Sequence, residues 1–216
     1  MFNLIFVIII PQAKKYRRAL MYNTLKMRQG LEKDCTELAF IFDMAGRRLP
    51  SAVWMEQTSQ GQSSFEVGRE QIRTRSDRPF YYKNWTVAES NNRLVGGFFG
   101  FLLEDPYPNI DYSEIPECIH PLVDLQKCAS GSWLLQAISV LPEARNKGFS
   151  KKLLEEAENI VKKIGTSQIT LQVQEDNKVA VHTYKKSGYV ELDRKPFVSF
   201  LGSDDSGDYL LMGKNL

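Results

Sequence analysis

The sequence predicts a mixed α/β fold in which helices pack on one mixed sheet. Two patterns near the C-terminal half predict it. "WLLQAISVL" (133–141) is a buried-strand pattern, and "QITLQVQ" (168–174) alternates apolar and polar residues as a half-buried strand does. Between them, apolar residues follow the spacing of one helical face: Leu153, Leu154, Ala157, Ile160, Val161 and Ile164. The composition, 43% apolar and 25% charged, is typical of a globular protein of this class.

The N-terminal half predicts a strand, a helix, a loop and a hairpin. "LKMRQGLEKDCTELAFIFDMAGRR" predicts a short strand and then a helix, because its later apolar residues recur at helical spacing and Gly46 can end the helix. Residues 51–79 are polar, with several Gly and Ser, and predict a loop with one short helix near 65–75. Asn91-Asn92 joins two apolar runs, which predicts a β-hairpin.

Residues 104–131 interrupt this rhythm. The segment holds four prolines, six acidic residues and one basic residue, Lys127. We expect an irregular acidic insert, which is either a functional segment or a solvated surface excursion. Tyr107 and Tyr112 within it could line an acceptor pocket or could pack.

After the insert, the predicted order is strand, helix, strand, helix and a final strand pair. Gly165 can end the first of these helices. Residues 177–187 predict a shorter helix ended by Gly188, and the last two strands flank the turn at 202–208. The whole order is therefore β-α-loop-β-β-insert-β-α-β-α-β-β.

The chain of 216 residues suits one domain at 25–216, preceded by an extension at 1–24. "FNLIFVIII" in the extension is too short to span a bilayer and lacks the flanks of a signal peptide. Met21 is a second candidate for the natural start, so the extension is either an appendage or lies upstream of that start.

Charge and cysteine content limit the partners. The net charge is only +2, so we expect no nucleic-acid partner and no membrane partner, although the first 30 residues are basic. Three cysteines without a C-x-x-C pair favour a reducing compartment, and we expect a cytoplasmic protein. Cys118, His120 and Cys128 match no common zinc spacing, so we expect no metal. A homodimer stays open.

"ARNKGFSKKLL" (144–154) gathers positive charge and a glycine directly before a predicted helix. A bare backbone turn lets several N–H groups converge, and a helix start adds free N–H groups and a positive dipole. This pattern predicts a pyrophosphate site or an ordinary surface turn. It is neither a P-loop nor the three-glycine dinucleotide pattern.

A second motif narrows these alternatives. Arg145-x-x-Gly148-x-Ser150 resembles the R/Q-x-x-G-x-G/A motif of the GNAT N-acetyltransferase superfamily. Asn177-x-x-Ala180-x-x-x-Tyr184-x-x-x-Gly188-Tyr189 resembles the second motif of that superfamily. The resemblance covers 133–190 closely and extends more loosely back to about residue 25. Ser150 departs from the usual Gly or Ala, but serine is small and can cap a helix.

The resemblance implies a GNAT-like fold in which two central parallel strands splay apart and hold acetyl-CoA between them. The pantetheine arm would pair with the main chain of the first strand and the pyrophosphate would lie on the turn. Asn177 would reach the pantetheine arm, and Tyr184 would lie near the thioester sulfur. The residues expected to contact acetyl-CoA are Ile138, Ser139, Val140, Arg145, Asn146, Lys147, Gly148, Phe149, Ser150, Asn177 and Tyr184.

The expected reaction is direct transfer of an acetyl group to a primary amine in a ternary complex, with Tyr184 as general acid. The base stays open. Many relatives carry a Glu on the strand where this chain has Gln136. The candidates are therefore Glu89, a water held by main chain or by insert carboxylates, and His120. His182 is expected to face solvent.

The acceptor is expected to be a small molecule, and the acidic insert suits a cationic one. The alternatives are transfer of another acyl group, acetylation of a protein N-terminus or lysine, and a CoA-binding sensor without turnover. A nucleic-acid-binding module is a fourth, less supported class because stacking aromatics are few near the basic N-terminus.

Overall fold

A computed structural model describes residues 25–204 and 206–216. Over these residues the chain forms one sheet of seven strands, in the order β1-β2-β3-β4-β5-β7-β6. The strands are β1 Lys26–Gln29, β2 Thr86–Ser90, β3 Arg93–Leu102, β4 Trp133–Val140, β5 Gln168–Gln174, β6 Val190–Pro196 and β7 Asp208–Asn215. The six α-helices of the described residues are α1 Cys35–Ala45, α2 Leu49–Met55, α3 Ser64–Thr74, α4 His120–Cys128, α5 Phe149–Ile164 and α6 Lys178–Lys186.

The sheet is covered on both faces. Alternation along the strands separates the two sides: Ala88 packs with α5 on one face, whereas its neighbour Val87 packs with α1–α3 on the other. The first core is built around Leu153 and Ala157 of α5, and the second around Trp54 and Trp85. A third, smaller cluster joins α4 to β4 and β7 through an apolar set, Leu103, Leu125, Ala129, Leu134, Tyr209 and Leu211.

The predicted mixed α/β order is confirmed. Each strand, hairpin and helix that the periodicity predicts is present, and Gly46 and Gly165 are the residues that end α1 and α5. Asn91 and Asn92 both have positive φ, 55° and 57°, which is the geometry of a tight hairpin turn.

Two helices were missed, because their stabilisation is tertiary. Most of α2 was predicted as loop, yet it forms because Trp54 packs into the second core. Helix α4 lies inside the segment predicted to be irregular. Pro121 sits in its first turn, where the missing N–H has no intrahelical partner to lose, so this proline starts the helix rather than breaking it.

No helix in the described part of the chain combines the length and the apolar composition needed to cross a membrane. The predicted extension at 1–24, including Met21, lies outside the described residues.

Candidate active site

The two central strands separate at a β-bulge. Strands β4 and β5 are parallel, and their pairing ends at Leu135↔Leu171. On the other side of β4, the register with β3 shifts so that Ala137 and Leu135 pair with consecutive residues, which leaves Gln136 as the extra residue. A bulge of this kind bends its strand. Beyond Gln136 the strands therefore part, and a gap opens between them.

The main chain of β4 beyond the bulge faces this gap at alternate residues. The Leu141 N–H donates to the Val95 oxygen at 2.9 Å, so Leu141 and Ser139 direct their backbone groups to β3. Ile138 and Val140 consequently direct theirs toward the side from which β5 has departed. Of the three β4 residues predicted to contact the cofactor, Ile138 and Val140 present main chain, and Ser139 lines the cavity without doing so.

The turn after β4 leaves a helix start without a side-chain cap. Asn146 and Gly148 both adopt left-handed backbone conformations, with φ of 60° and 75°. Helix α5 begins at Phe149, and no side chain caps it. The first four N–H groups of an α-helix have no intrahelical acceptor. This turn therefore presents several unpaired donors together with the positive end of a 16-residue helix.

Ser150 is not the helix cap that the sequence suggested. Gly148 occupies that position, and Ser150 lies inside the first turn with an exposed side chain that borders the cavity.

The basic residues of the turn brace it. Arg145 Nε donates to the Val140 oxygen at 3.2 Å, and the terminal guanidinium nitrogen lies 3.9 Å from the Met44 sulfur on α1. Lys147 Nζ donates to the Glu143 oxygen at 3.1 Å and does not line the cavity. Arg145 thus holds the turn against β4 and still borders the cavity.

The opposite wall of the gap is α6. Asn177 precedes this helix, and its Oδ1 accepts a hydrogen bond from the Ala180 N–H at 3.3 Å, so Asn177 is its N-cap. The Nδ2 group is left to donate elsewhere. Tyr184, in the last turn of α6, lies 5.9 Å from the Tyr189 ring between centroids, and its side chain lines the cavity.

Burial raises the pKa of the Tyr184 hydroxyl to about 12. The group is therefore protonated at neutral pH, which suits a proton donor and not a base. Within residues 25–204 and 206–216 its hydroxyl makes no hydrogen bond, so the proton is available to a ligand in the gap.

The structure does not bring Glu89 to this site. Glu89 lies on β2, where its carboxylate accepts a hydrogen bond from Arg28 Nε at 2.9 Å, and it is absent from the described cavity wall. Arg28 also binds Asp34 at 2.6 Å, so Glu89 belongs to a structural ion-pair group. The structure therefore does not bring Glu89, one of the candidate bases, to the gap.

Neither histidine of the chain lies at the cavity. His120 Nε2 lies 3.1 Å from the backbone oxygens of both Tyr112 and Ile115, inside the insert. His182 is exposed on α6, as expected. Neither belongs to the described wall of the cavity.

A cavity of about 950 Å³ occupies the gap and continues over the α1–α4 face. Ten of the eleven residues predicted to contact the cofactor border it, and Lys147 is the exception. The second half of the wall was not identified from the sequence. It consists of residues from α1–α4 and the segments next to them, among them Phe42, Trp54, Arg75, Arg78, Phe80, Leu122 and Gln126.

The family model of the GNAT acetyltransferases matches residues 51–189, which contain the parted strands, the turn and α6. The chain belongs to the GNAT acetyltransferase family. It is thus an acyltransferase, and acetyl-CoA is the acetyl donor that this family uses.

Solved acetyltransferase structures share the fold of this GNAT chain. One crystal structure of an acetyltransferase is 20% identical with a TM-score of 0.59, over 88% of this chain and 98% of its own. An N-acetyltransferase from Staphylococcus aureus Mu50 is 16% identical with a TM-score of 0.56, over 88% of this chain and 100% of its own. The protein yncA from Salmonella typhimurium, solved with its cofactor acetyl-CoA, is 15% identical with a TM-score of 0.54, over 89% of this chain and 94% of its own. No curated protein matches the chain.

The residues of this GNAT acetyltransferase fit acetyl-CoA. The gap offers β4 backbone groups at Ile138 and Val140 to an amide-bearing arm, and the uncapped α5 start offers N–H donors to a diphosphate. Gly148 allows the turn to present these N–H groups because it adopts a left-handed backbone conformation. A Cβ there would contact nothing within 4 Å, but its φ of 75° disfavours any other residue.

The acidic insert of the GNAT chain contributes neutral side chains to the cavity. Ile119, Leu122 and Gln126 line it, whereas the carboxylates at 104, 105, 111, 114, 117 and 124 do not. Tyr107 packs at the edge of the third cluster, and its hydroxyl donates to Gln126 Oε1 at 2.7 Å. Tyr112 bonds to Asp124 and to Lys127 within the insert. The insert therefore forms part of the wall without bringing its negative charge into it.

Proposed function

We propose that this protein transfers the acetyl group of acetyl-CoA directly to a primary amine within a ternary complex. The observation that supports the proposal is the parting of β4 and β5 at Gln136, with the uncapped α5 turn at one end and Tyr184 in the wall of the gap.

Binding uses backbone more than side chains. Ile138 pairs with the pantetheine arm through its main chain and Val140 through its N–H, since the Val140 oxygen already accepts from Arg145. Asn177 Nδ2 donates to the same arm. The N–H groups of residues 146–151 bind the diphosphate. Arg145 adds positive charge nearby while it braces the turn.

Acetyl-CoA supplies the activated acetyl thioester. An N–H of β4 beyond the bulge binds the carbonyl oxygen and stabilises the negative charge that develops there. The acceptor nitrogen forms the new bond to the acetyl carbon, and Tyr184 donates its proton to the departing sulfur. The proton lost by the amine leaves to water in the open cavity, and Tyr184 recovers its own proton from the same water.

Direct transfer requires no nucleophile on the enzyme. Cys35 and Cys118 are buried elsewhere, Cys128 is on the surface, and none of them is part of the described cavity wall. The hydroxyls of Ser139 and Thr183 border the cavity beside no imidazole or carboxylate of the described wall that could activate them.

Two measurements on the full-length protein test the proposal. Acetyl-CoA at a hundred times its Kd should stabilise the fold by about 2.7 kcal/mol and raise the Tm accordingly. In a thiol-release assay with an amine panel, initial rates against both substrates should give intersecting double-reciprocal lines.

Other results would contradict it. Parallel lines would indicate an acetylated enzyme and exclude direct transfer. Binding of acetyl-CoA without thiol release from any amine would favour a CoA sensor, and no stabilisation at millimolar acetyl-CoA would exclude the cofactor assignment.

We also propose that the enzyme works in the cytoplasm. All three cysteines are free thiols in the structure, as a reducing compartment favours. Fractionation of cells that produce the protein tests this placement.

A further inference from the structure

The described wall of the whole cavity is neutral or positive. Its described charged side chains are guanidiniums: Arg75 and Arg78 near the end of α3, and Arg145 in the turn. Its other titratable side chains are the phenols of Tyr184 and Tyr209. Two carboxylates next to wall residues bind arginines: Asp77 binds Arg75 at 2.9 Å, and Asp176 Oδ2 binds Arg47 at 3.1 Å. Asp176 Oδ1 is buried without a hydrogen-bond partner among the described residues, but neither Asp77 nor Asp176 lines the cavity.

This composition determines how the acceptor amine loses its proton. An ammonium group cannot attack a carbonyl, because its nitrogen has no lone pair. Arginines stay protonated, and a tyrosine with a raised pKa does not accept a proton near neutral pH. The acceptor therefore reacts through the fraction of amine that is already neutral in water.

That fraction differs greatly between amine classes. An α-amino group has a pKa of about 8 and a lysine side chain about 10.4, so at pH 7.4 the neutral fractions differ by about 200-fold. The guanidiniums add repulsion toward any polycation. Both effects disfavour the cationic small molecule that the acidic insert had suggested.

The same wall carries polar groups that match a peptide. Gln172 uses its Nε2 to donate to the Leu122 oxygen at 2.6 Å, which leaves its Oε1 as an acceptor. Gln126 accepts from Tyr107 with its Oε1, which leaves its Nε2 as a donor. Gln136 makes no side-chain hydrogen bond with the described residues and has both groups available. Carboxamides of this kind pair with the N–H and C=O groups of a peptide backbone.

Apolar surface lies beside these amides. Phe42, Trp54 and Phe80 line the cavity on the α1–α3 side, with Leu49 and Pro50 next to them. Phe42 and Trp54 contact each other edge to face, with centroids 5.9 Å apart. An uncharged chain with an apolar side chain can bury area here without leaving a charge unpaired.

We propose that the acceptor is the α-amino group of a peptide with uncharged first residues, selected because the cavity takes up amines that are neutral in solution. This inference rests on the proposed acetyl-transfer function and names its substrate class. The pH dependence of the reaction then belongs to the acceptor and not to the enzyme.

A matched pair of peptides tests the substrate class on the full-length protein. One is Ser-Ala-Phe-Ala-amide with a free α-amine, and the other is N-acetyl-Lys-Ala-Phe-Ala-amide, with spermidine as a polycation. At pH 7.4 we expect kcat/KM for the α-amine peptide to exceed that for the lysine peptide by about 200-fold. Mass spectrometry locates the acetyl group on the α-nitrogen.

The pH profile separates the acceptor's titration from an enzyme base. Log kcat/KM should rise with unit slope and level off at the pKa of the acceptor. The break should move when the serine peptide is replaced by one with a different α-amine pKa. A break at a fixed pH for all acceptors would reveal an enzyme base and overturn the inference.

Gln136→Glu supplies a carboxylate at the bulge and provides a second readout. In this variant the pH profile of kcat/KM should show an additional break at a pH that is the same for every acceptor. The ratio of kcat/KM between the α-amine peptide and the lysine peptide should also become smaller. Gln62→Glu, in an exposed loop outside the cavity wall, is the matched control. It should change neither the pH profile nor the preference between the two peptides.

The outcomes test the peptide acceptor and the acetyl-transfer function separately. Efficient transfer to spermidine or to the lysine peptide, with none to the α-amine peptide, would overturn the peptide assignment and leave acetyl transfer intact. Failure of acetyl-CoA to stabilise the protein would overturn both.

Discussion

Asn177 and Tyr184 lie at the two ends of the same helix. The side chain of Asn177 makes a hydrogen bond within the protein, whereas the Tyr184 hydroxyl makes none with the described residues. Asn177 uses its Oδ1 to cap α6, so part of its value is structural. The Tyr184 hydroxyl is left to a ligand, and burial raises its pKa to about 12. A family motif thus combines one residue that caps the helix with one whose hydroxyl stays protonated at neutral pH.

Tyr184→Phe should lower kcat by roughly 10²-fold, because the departing sulfur loses its proton donor. Affinity for acetyl-CoA should change little, since the ring is kept. The wild-type rate should show no decline from phenol ionisation until the pH approaches about 12. Steady-state kinetics across pH with a thermal-shift measurement of binding checks this, and Tyr81→Phe outside the cavity is the control. Undiminished turnover in Tyr184→Phe would exclude the general-acid role.

Asp34 belongs to no sequence motif, but its carboxylate contributes to the stability of the fold. Burial by itself raises the pKa of its carboxyl, but hydrogen bonds from Arg28 and from the Leu31 N–H lower it more, so the net pKa is below the ordinary value. A carboxylate with a depressed pKa stabilises the fold above its unfolded pKa of about 4 and loses this contribution as pH falls through the folded value.

Asp34→Asn should therefore cost about 3 kcal/mol of unfolding free energy at pH 7, because Arg28 is left with half of its partners. The difference from wild type should shrink as pH falls below about 4. Urea unfolding over this pH range measures it. Asp77→Asn, on an exposed carboxylate that also binds arginine, should leave the midpoint nearly unchanged. A pH-independent penalty at Asp34 would assign the effect to packing.

At the scale of elements, α5 is used at both of its ends. Gly148 begins it and Gly165 ends it, with φ of 75° and 81°, and a Cβ would meet open space at either position. The C-terminal end is a conventional helix stop, with Gly165 N–H bonded to the Lys162 oxygen. The N-terminal end faces the cavity and leaves its donors unpaired.

This symmetry supplies a matched pair of variants. Gly148→Ala and Gly165→Ala should each cost about 1 kcal/mol of stability, because alanine disfavours the left-handed backbone. Only Gly148→Ala should raise the Kd for acetyl-CoA, by about tenfold, as loss of one hydrogen bond to the diphosphate would. Denaturant unfolding and titration calorimetry measure the two effects. Equal Kd values for acetyl-CoA in both variants would show that the diphosphate does not bind at this turn.

At the scale of the molecule, the acceptor side of the cavity depends on packing between α2 and α3. A Cβ at Gly68 of α3 would lie 2.5 Å from the Trp54 ring, which is itself 3% exposed. The glycine therefore sets how closely the two helices approach, and the Trp54 ring is also part of the cavity wall.

Gly68→Ala should destabilise the fold by about 2 kcal/mol, although alanine is the better helix former, because the ring must move. The KM of the acceptor should rise while the Kd for acetyl-CoA stays constant. Combining the change with Trp54→Leu should give less than the sum of the two penalties, since the smaller side chain relieves the clash. Strict additivity in denaturant unfolding would contradict this contact.

The donor half of the site could be predicted because its determinants are local. A glycine before a helix, an asparagine N-cap and a tyrosine on the same helix are encoded by spacing within one short segment. The acceptor half could not be predicted, since Trp54, Arg78 and Gln126 meet only after three helices and the insert fold against the sheet. The position of Glu89 relative to the cavity could not be predicted for the same reason. Its strand was predicted, but its partner Arg28 is 61 residues away.

By itself, then, the sequence determined the mixed α/β order, the ends of α1 and α5 and the turn that precedes α5, because periodicity and glycine conformation act over a few residues. Only the tertiary structure decided that the strands part at Gln136, that Arg145 folds back onto Val140, and that the acidic insert turns neutral side chains to the cavity. Those outcomes depend on register and long-range packing, which no local pattern specifies.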